Sequence, residues 1–251
     1  MSTNSQSQSR ERGLSASAEP SRAGHLPLPA GVQPFQAKLT KEAINELPLF
    51  HYEGSVTLVS TSEEACAAVA RLSVETILGF DTETPPCFRK GKSRPPALVQ
   101  LAGSKEVVLF PLKLCPLGPE LIALFENPAI IKTGVAVHDD MRFLSKLEPF
   151  AACSVVDLSA VAQHNNVQNR GLRGLVAAFL GLRISKGEQC SNWGSAELSA
   201  RQIRYAATDA WASREVYLRM TEAGLDVSLP LKPAAGRKPK LPKRSYSYRT
   251  L

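Results

Sequence analysis

The apolar positions of the chain fall into short runs bounded by turn-formers, with helical periodicity between them. "SVTLVS" (55–60) reads as a strand and "TSEEACAAVARL" (61–72) as a helix with a Ser/Thr start and early glutamates. "TILGFDTE" (76–83) is the next strand, and "ALVQLA" (97–102) and "EVVLFPL" (106–112), joined by "GSK", form a hairpin. A helix over about 117–126 leads to the strand "AIIKTGV" (129–135). "HDDMRFLSKL" (138–147) opens a helix with acids at its head, and "SVVDL" (154–158) is a further strand. From there to about residue 223 the chain reads as helical. Strands mixed with helices, one early hairpin and a helical finish predict a single α/β domain over 38–225. At its start, "LTKEAINELP" (39–48) reads as a short helix capped by Thr40 and stopped by Pro48. Residues 1–37 are rich in Ser, Pro and Gly without periodicity and read as a disordered arm.

Composition adds bounds. With 43% hydrophobic residues in 251, the chain can bury one good-sized core. No run approaches the ~18 apolar residues of a membrane span, and the first twenty residues lack the apolar stretch of a secretory signal. Cys66, Cys87, Cys115, Cys153 and Cys190 are scattered, odd in number and contain no CxxC, which predicts reduced, mostly buried thiols in a cytoplasmic protein. The net charge of +7 resides in residues 227–251, within the basic tail 226–251. There Lys232, Arg237, Lys238, Lys240, Lys243, Arg244 and Arg249 are joined by no acid, and residues 1–226 sum to zero. Such a tail reads as a flexible nucleic-acid tether or a solubilising appendage.

The chemistry begins at "ILGFDTETPP" (77–86). A strand alternates faces, so Asp81 and Glu83 project to one side at its carboxyl end. Adjacent carboxylates repel and raise one another's pKa unless a cation neutralises them, and hard, oxygen-seeking Mg²⁺ or Mn²⁺ suits such a pair. Asp139 and Asp140 follow the strand ending in "TGV", Asp157 closes "VVD", and Tyr205 and Asp209 lie four apart on one face of the helix "LSARQIRYAATDAWASREVY". Taken singly, an acid at a helix start is a cap, and a tyrosine on an amphipathic helix is core.

In order, "FDTET", "TGVAVHDDMRFL" and "YAATDAWAS" resemble the motifs of the DEDD superfamily of 3′–5′ exonucleases, in the branch of ribonuclease D and the Werner-type exonuclease domain. The resemblance covers about residues 50–222 and implies an RNase H-like fold with a central mixed five-stranded sheet flanked by helices. It implies that Asp81, Glu83, Asp140 and Asp209 hold two divalent ions, Mg²⁺ or Mn²⁺, with Asp81 bridging them. Tyr205 would orient the attacking water, which places the chain in the tyrosine subclass. Asp139 then takes a non-ligand position, His138 is incidental and Asp157 is a cap. The activity implied is release of nucleoside 5′-monophosphates from a single-stranded or frayed 3′ end of DNA or RNA. Two rivals stand beside it: a ribonuclease restricted to short oligoribonucleotides, and an inactive nucleic-acid-binding module with the same fold. For substrate contacts the candidates are the basic loop with Arg89, Lys90, Lys92 and Arg94, and Lys186 and Trp193 ahead of the last helix. Each has a plain alternative, a solvated loop for the first and core packing for Trp193.

Overall fold

The computed structural model describes residues 33–87, 94–195 and 197–228. Its centre is a six-stranded sheet of β1 (Ser55–Leu58), β2 (Ile77–Glu83), β3 (Leu98–Ala102), β4 (Glu106–Pro111), β5 (Ile131–Gly134) and β6 (Val155–Asp157), in the order β1-β4-β3-β2-β5-β6. β2–β3 and β3–β4 pair antiparallel, while β1–β4, β2–β5 and β5–β6 pair parallel. The sheet is mixed as expected, but it has six strands where the resemblance implied five. Its two edges are β1 and the three-residue β6.

Alternation along the strands decides what covers each face. Leu78 and Phe80 point into a core built with α2 (Ser62–Leu72), α3 (Pro119–Glu126) and α4 (Val137–Leu147). Phe80 meets Phe125 edge-on at 5.8 Å between ring centroids. The opposite face, with Leu98, Ala102, Val107 and Leu109, is covered by Ala206, Ala207 and Ala210 of α7 (Ala200–Glu222). Gly79 makes that close approach possible, because a Cβ there would lie 2.0 Å from the Ala210 carbonyl oxygen. The helix carrying Tyr205 and Asp209 is thereby laid directly on the strand carrying Asp81 and Glu83. Its start is well defined: Ser199 and Gln202 form a reciprocal capping box.

The capped helix at 39–48 is present as α1 (Lys41–Glu46), with Thr40 accepting from the Ala43 amide. Elsewhere the structure corrects the sequence reading. The stretch after β6 is not continuously helical. It forms α5 (Leu158–His164) and α6 (Leu172–Leu180), and then a non-helical run reaches α7 after Gly181 ends α6 at a positive φ of 63°. The end of the segment read as a disordered arm is ordered: a 3₁₀ turn spans Pro34–Gln36, and Phe35 stacks on Phe179 at 5.2 Å. The start of the segment read as tail is likewise docked, with Asp226 beside His164 and Asn165. The rest of arm and tail lies outside the described residues. Of the five cysteines only Cys115 is buried; Cys87 and Cys153 are half-buried, and Cys66 and Cys190 are exposed. No helix among the described residues is long and apolar enough to cross a membrane.

One buried charge stands apart from any carboxylate. Lys132 of β5 is fully buried, and its Nζ donates to the carbonyls of Asn127 at 2.8 Å and Leu124 at 3.4 Å. Burial lowers its pKa to about 8. Below that value the folded state must hold a desolvated ammonium. Both carbonyls also accept a backbone N–H, so they stay satisfied without the lysine. Lys132→Met is therefore expected to raise the melting temperature at pH 7, with the gain shrinking as pH rises from 8 toward 10. A gain of ~1 kcal/mol would appear as roughly 2–4 °C. A lower melting temperature at pH 7 would show that the ammonium stabilises the fold.

Candidate active site

β2 and α7 together build an acidic cluster. Asp81 and Glu83 leave the end of β2 on the face that α7 covers, and Asp209 meets them from the helix. One carboxylate oxygen from each lies within 4.8 Å of the others. Glu83 and Asp209 are each only 7% exposed. The Thr82 amide donates to Asp81 Oδ1 at 2.9 Å, and the Tyr205 hydroxyl donates to Asp209. Asp209 Oδ1 is buried without a hydrogen-bond partner. So are both amide atoms of Gln100, the residue paired with Asp81 across β2–β3.

Asp140 stands beside this trio rather than within it. It lies in the first turn of α4, where Thr82 Oγ1 donates to its Oδ1 at 2.7 Å. Its charge acts on Asp81 and Glu83. Asp139 faces solvent and pairs with Arg142 at 2.8 Å, and His138 is exposed. Asp157 caps α5 through the Ser159 and Ala160 amides. Its Oδ1 also accepts from Ala136, whose left-handed φ of 61° turns the chain into α4.

Tyr205 and Asp209 also line two cavities. One, of about 510 Å³, is lined by Asp81 and Glu83 and also by Arg170, Arg173 and Lys186. The other, of about 330 Å³, contains His51, Arg201 and Arg204. Lys186 is thus at the cleft, as its candidacy required. Trp193 is not available to stack on a base: it is 2% exposed, and its ring packs 6.0 Å from that of Tyr205. Arg89, Lys90 and Lys92 lie outside the described residues, and Arg94 is exposed. The sequence reading missed Thr82, Gln100, Arg170, Arg173, Arg201 and Arg204.

Comparison with known proteins agrees with this geometry. The family model described as 3′-5′ exonuclease matches residues 56–224. The chain belongs to the 3′-5′ exonuclease family. It is 32% identical over 191 residues to the bifunctional 3′-5′ exonuclease/ATP-dependent helicase WRN of Mus musculus, covering 72% of this chain and 14% of that protein. It is 34% identical over 180 residues to ribonuclease D of Acidiphilium cryptum, covering 66% of this chain and 44% of that protein. The Nibbler EXO domain of Aedes aegypti superposes with a TM-score of 0.62 at 26% identity, over 70% of this chain and 94% of that one. The chain therefore spans less than half the length of these two curated relatives. The neighbours place it in the RNase H-like branch of ribonuclease D and WRN.

Exonucleases of this family depend on divalent metal, and the cluster fits one. Burial first, then the Asp209 and Asp140 charges, hold Asp81 well above the ordinary carboxylate range. Burial and its acidic neighbours push Glu83 to about 10. Asp209 reaches about 7 through burial, although the Tyr205 hydrogen bond and Lys186 pull it down. Asp140 rises to about 6, mainly by burial, against the Thr82 hydrogen bond. A divalent cation would satisfy the unpartnered Asp209 oxygen and make the charged forms tenable.

The consequence for stability has a definite sign. These carboxyls bind protons more tightly folded than unfolded. From about pH 4 up to their folded values the native state holds the excess protons, and stability falls as pH rises. In chelator, the melting temperature is expected to fall between pH 5 and pH 8. Mg²⁺ or Mn²⁺ should raise it more at pH 8 than at pH 5. An equal metal effect at both pH values would contradict the assignment of these acids to a cation.

Proposed function

We propose that the chain is a 3′–5′ exonuclease that uses Mg²⁺ or Mn²⁺ to release nucleoside 5′-monophosphates from a single-stranded or frayed 3′ end. The observation that carries this reading is the convergence of Asp81, Glu83, Asp209 and Tyr205 at one cleft, with no arginine paired to the acids among the described residues. Asp81, Glu83 and Asp209, with Asp140 alongside, would hold the cations, whose chemistry is to set positive charge against the phosphoryl oxygens. The chain's own groups do the rest. Tyr205, its ring braced by Trp193, holds its hydroxyl beside Asp209, where it can orient a water toward phosphorus. It does not take the water's proton as a phenolate: burial and the surrounding acids hold the phenol far above its ordinary value. Lys186 and Arg170 supply positive charge on the walls of the same cleft, and Lys186 is close enough to act on Asp209.

Asp140 and Asp139 have separable roles in this reading. Asp140→Asn is expected to lower turnover far more than Asp139→Asn, because Asp139 is exposed and engaged with Arg142. The opposite ranking in a steady-state assay would reassign the α4 ligand.

The reading is tested by incubating matched DNA and RNA oligonucleotides with the protein and Mg²⁺, and resolving the products by chromatography. Mononucleotides bearing a 5′-phosphate are expected from the first time points, from whichever sugar the site accepts. Internal fragments, or no product from either polymer, would contradict it. Hydrolysis confined to the shortest RNAs would instead select the short-oligoribonucleotide rival.

A further inference from the structure

The arginines divide into two groups. Arg71, Arg142, Arg214 and Arg219 each pair with a carboxylate. Arg173 and Arg183 donate to Asn45 and to the Leu47 carbonyl. Arg94, Arg170, Arg201 and Arg204, by contrast, make no ion pair or side-chain hydrogen bond among the described residues, and all four are exposed; of these, Arg201 and Arg204 share one helix. They are on the first turns of α7. Arg201, Arg204, Tyr205, Thr208 and Asp209 follow the i, i+3, i+4, i+7, i+8 spacing of one helix face. Both arginines line the second cavity, which shares Tyr205, Asp209 and Ser185 with the main cleft and adds His51 and one acid, Glu188. Its floor is fixed, because Thr208 Oγ1 donates to the Arg204 carbonyl at 2.6 Å and accepts the Tyr52 amide at 3.0 Å.

Two guanidiniums beside an acidic cluster, yet paired to none of its members, are placed for an anion that reaches both. We infer that Arg201 and Arg204 form a second phosphate subsite, on the other side of Tyr205 from the main cleft. It holds the phosphodiester next to the scissile one on the same strand. This rests on the exonuclease reading and deepens it. The scissile phosphate belongs at Asp81, Glu83 and Asp209. Arg204 and Arg201 precede Asp209 by five and eight residues of α7, roughly 7.5 and 12 Å toward the helix start at ~1.5 Å per residue, within the reach of long side chains toward the next phosphate of the same strand. A guanidinium offers a planar fork of donors that matches phosphate oxygens, and being permanently charged it needs no carboxylate to stay ionised. The substrate bound this way is a polynucleotide with at least two phosphodiesters, gripped on both sides of Tyr205.

The test is binding of a fluorescently labelled single-stranded oligonucleotide, followed by anisotropy in EDTA over a range of salt concentrations. Arg201→Ala/Arg204→Ala is compared with wild type and with Arg71→Ala/Arg219→Ala, which removes the same charge from paired, distant positions. The cavity pair is expected to bind about tenfold more weakly. Its log K against log salt slope should be shallower by about 0.7 for each phosphate that is no longer neutralised. The distant pair should stay within about twofold of wild type. An unchanged affinity and slope in the cavity pair, or an equal loss in both pairs, would overturn the subsite. Exposed helix positions accept alanine, and Arg201→Gln/Arg204→Gln gives a second neutral pair for the same comparison. Binding in EDTA requires no turnover. A failure of the exonuclease reading would appear separately, as absence of product from the wild-type protein with metal.

Discussion

Asp81→Asn is expected to abolish hydrolysis while leaving the fold intact. Asn has nearly the shape of Asp, so β2 keeps its packing and the Thr82 amide keeps an acceptor. What is lost is a negative charge that Asp209 and Asp140 already oppose and that burial disfavours. Without metal, the melting temperature should therefore be unchanged or higher. Activity goes the other way. A cation's stabilisation of charge on the transferring phosphoryl group amounts to several kcal/mol, and ~4 kcal/mol corresponds to about 10³-fold in rate. A turnover assay and a thermal melt on the same preparation decide the matter. Full activity with normal melting would remove Asp81 from the catalytic centre.

Tyr205→Phe should cut turnover by about 10²-fold, the low end of the effect of a positioned proton-transfer group, with little change in KM. The ring remains beside Trp193, so packing is preserved, and only the hydroxyl that meets Asp209 is removed. Asp209 also loses the hydrogen bond that lowers its pKa, which makes its charged form harder to reach. Unchanged turnover would assign Tyr205 to the core between α7 and the loop carrying Trp193. A rise in KM with kcat intact would make it a binding residue instead.

The parts of this site that could be read in the sequence are those set by local rules. Asp81 and Glu83 share a face because strand side chains alternate, and Tyr205 and Asp209 share one because helix positions four apart coincide. Asp140, next to Asp139 in sequence, needed the resemblance to be chosen, and the structure gives the physical difference: Thr82 holds one and Arg142 the other. What escaped depends on register and long-range packing. Gln100 faces Asp81 only because β3 pairs with β2 at that offset. Arg170, Arg201 and Arg204 stand apart in sequence, unlike the dense basic runs at 89–94 and in the tail, so local charge density does not mark them. These three come from α7 and the turn before α6, and they reach the two cavities through the fold. The non-helical run between α6 and α7 is marked in sequence by Gly181, Gly187 and Gly194.

The central claim is that this cluster of acids makes the chain a metal-dependent exonuclease acting from the 3′ end. It is tested most directly by a time course on a 5′-labelled single-stranded oligonucleotide, run for wild type and Asp81→Asn in Mg²⁺ and in EDTA. A ladder that shortens one nucleotide at a time while the label stays on the long products is expected in wild type with metal alone. The same ladder in EDTA or from Asp81→Asn, or release of the labelled 5′ nucleotide at the outset, would contradict it.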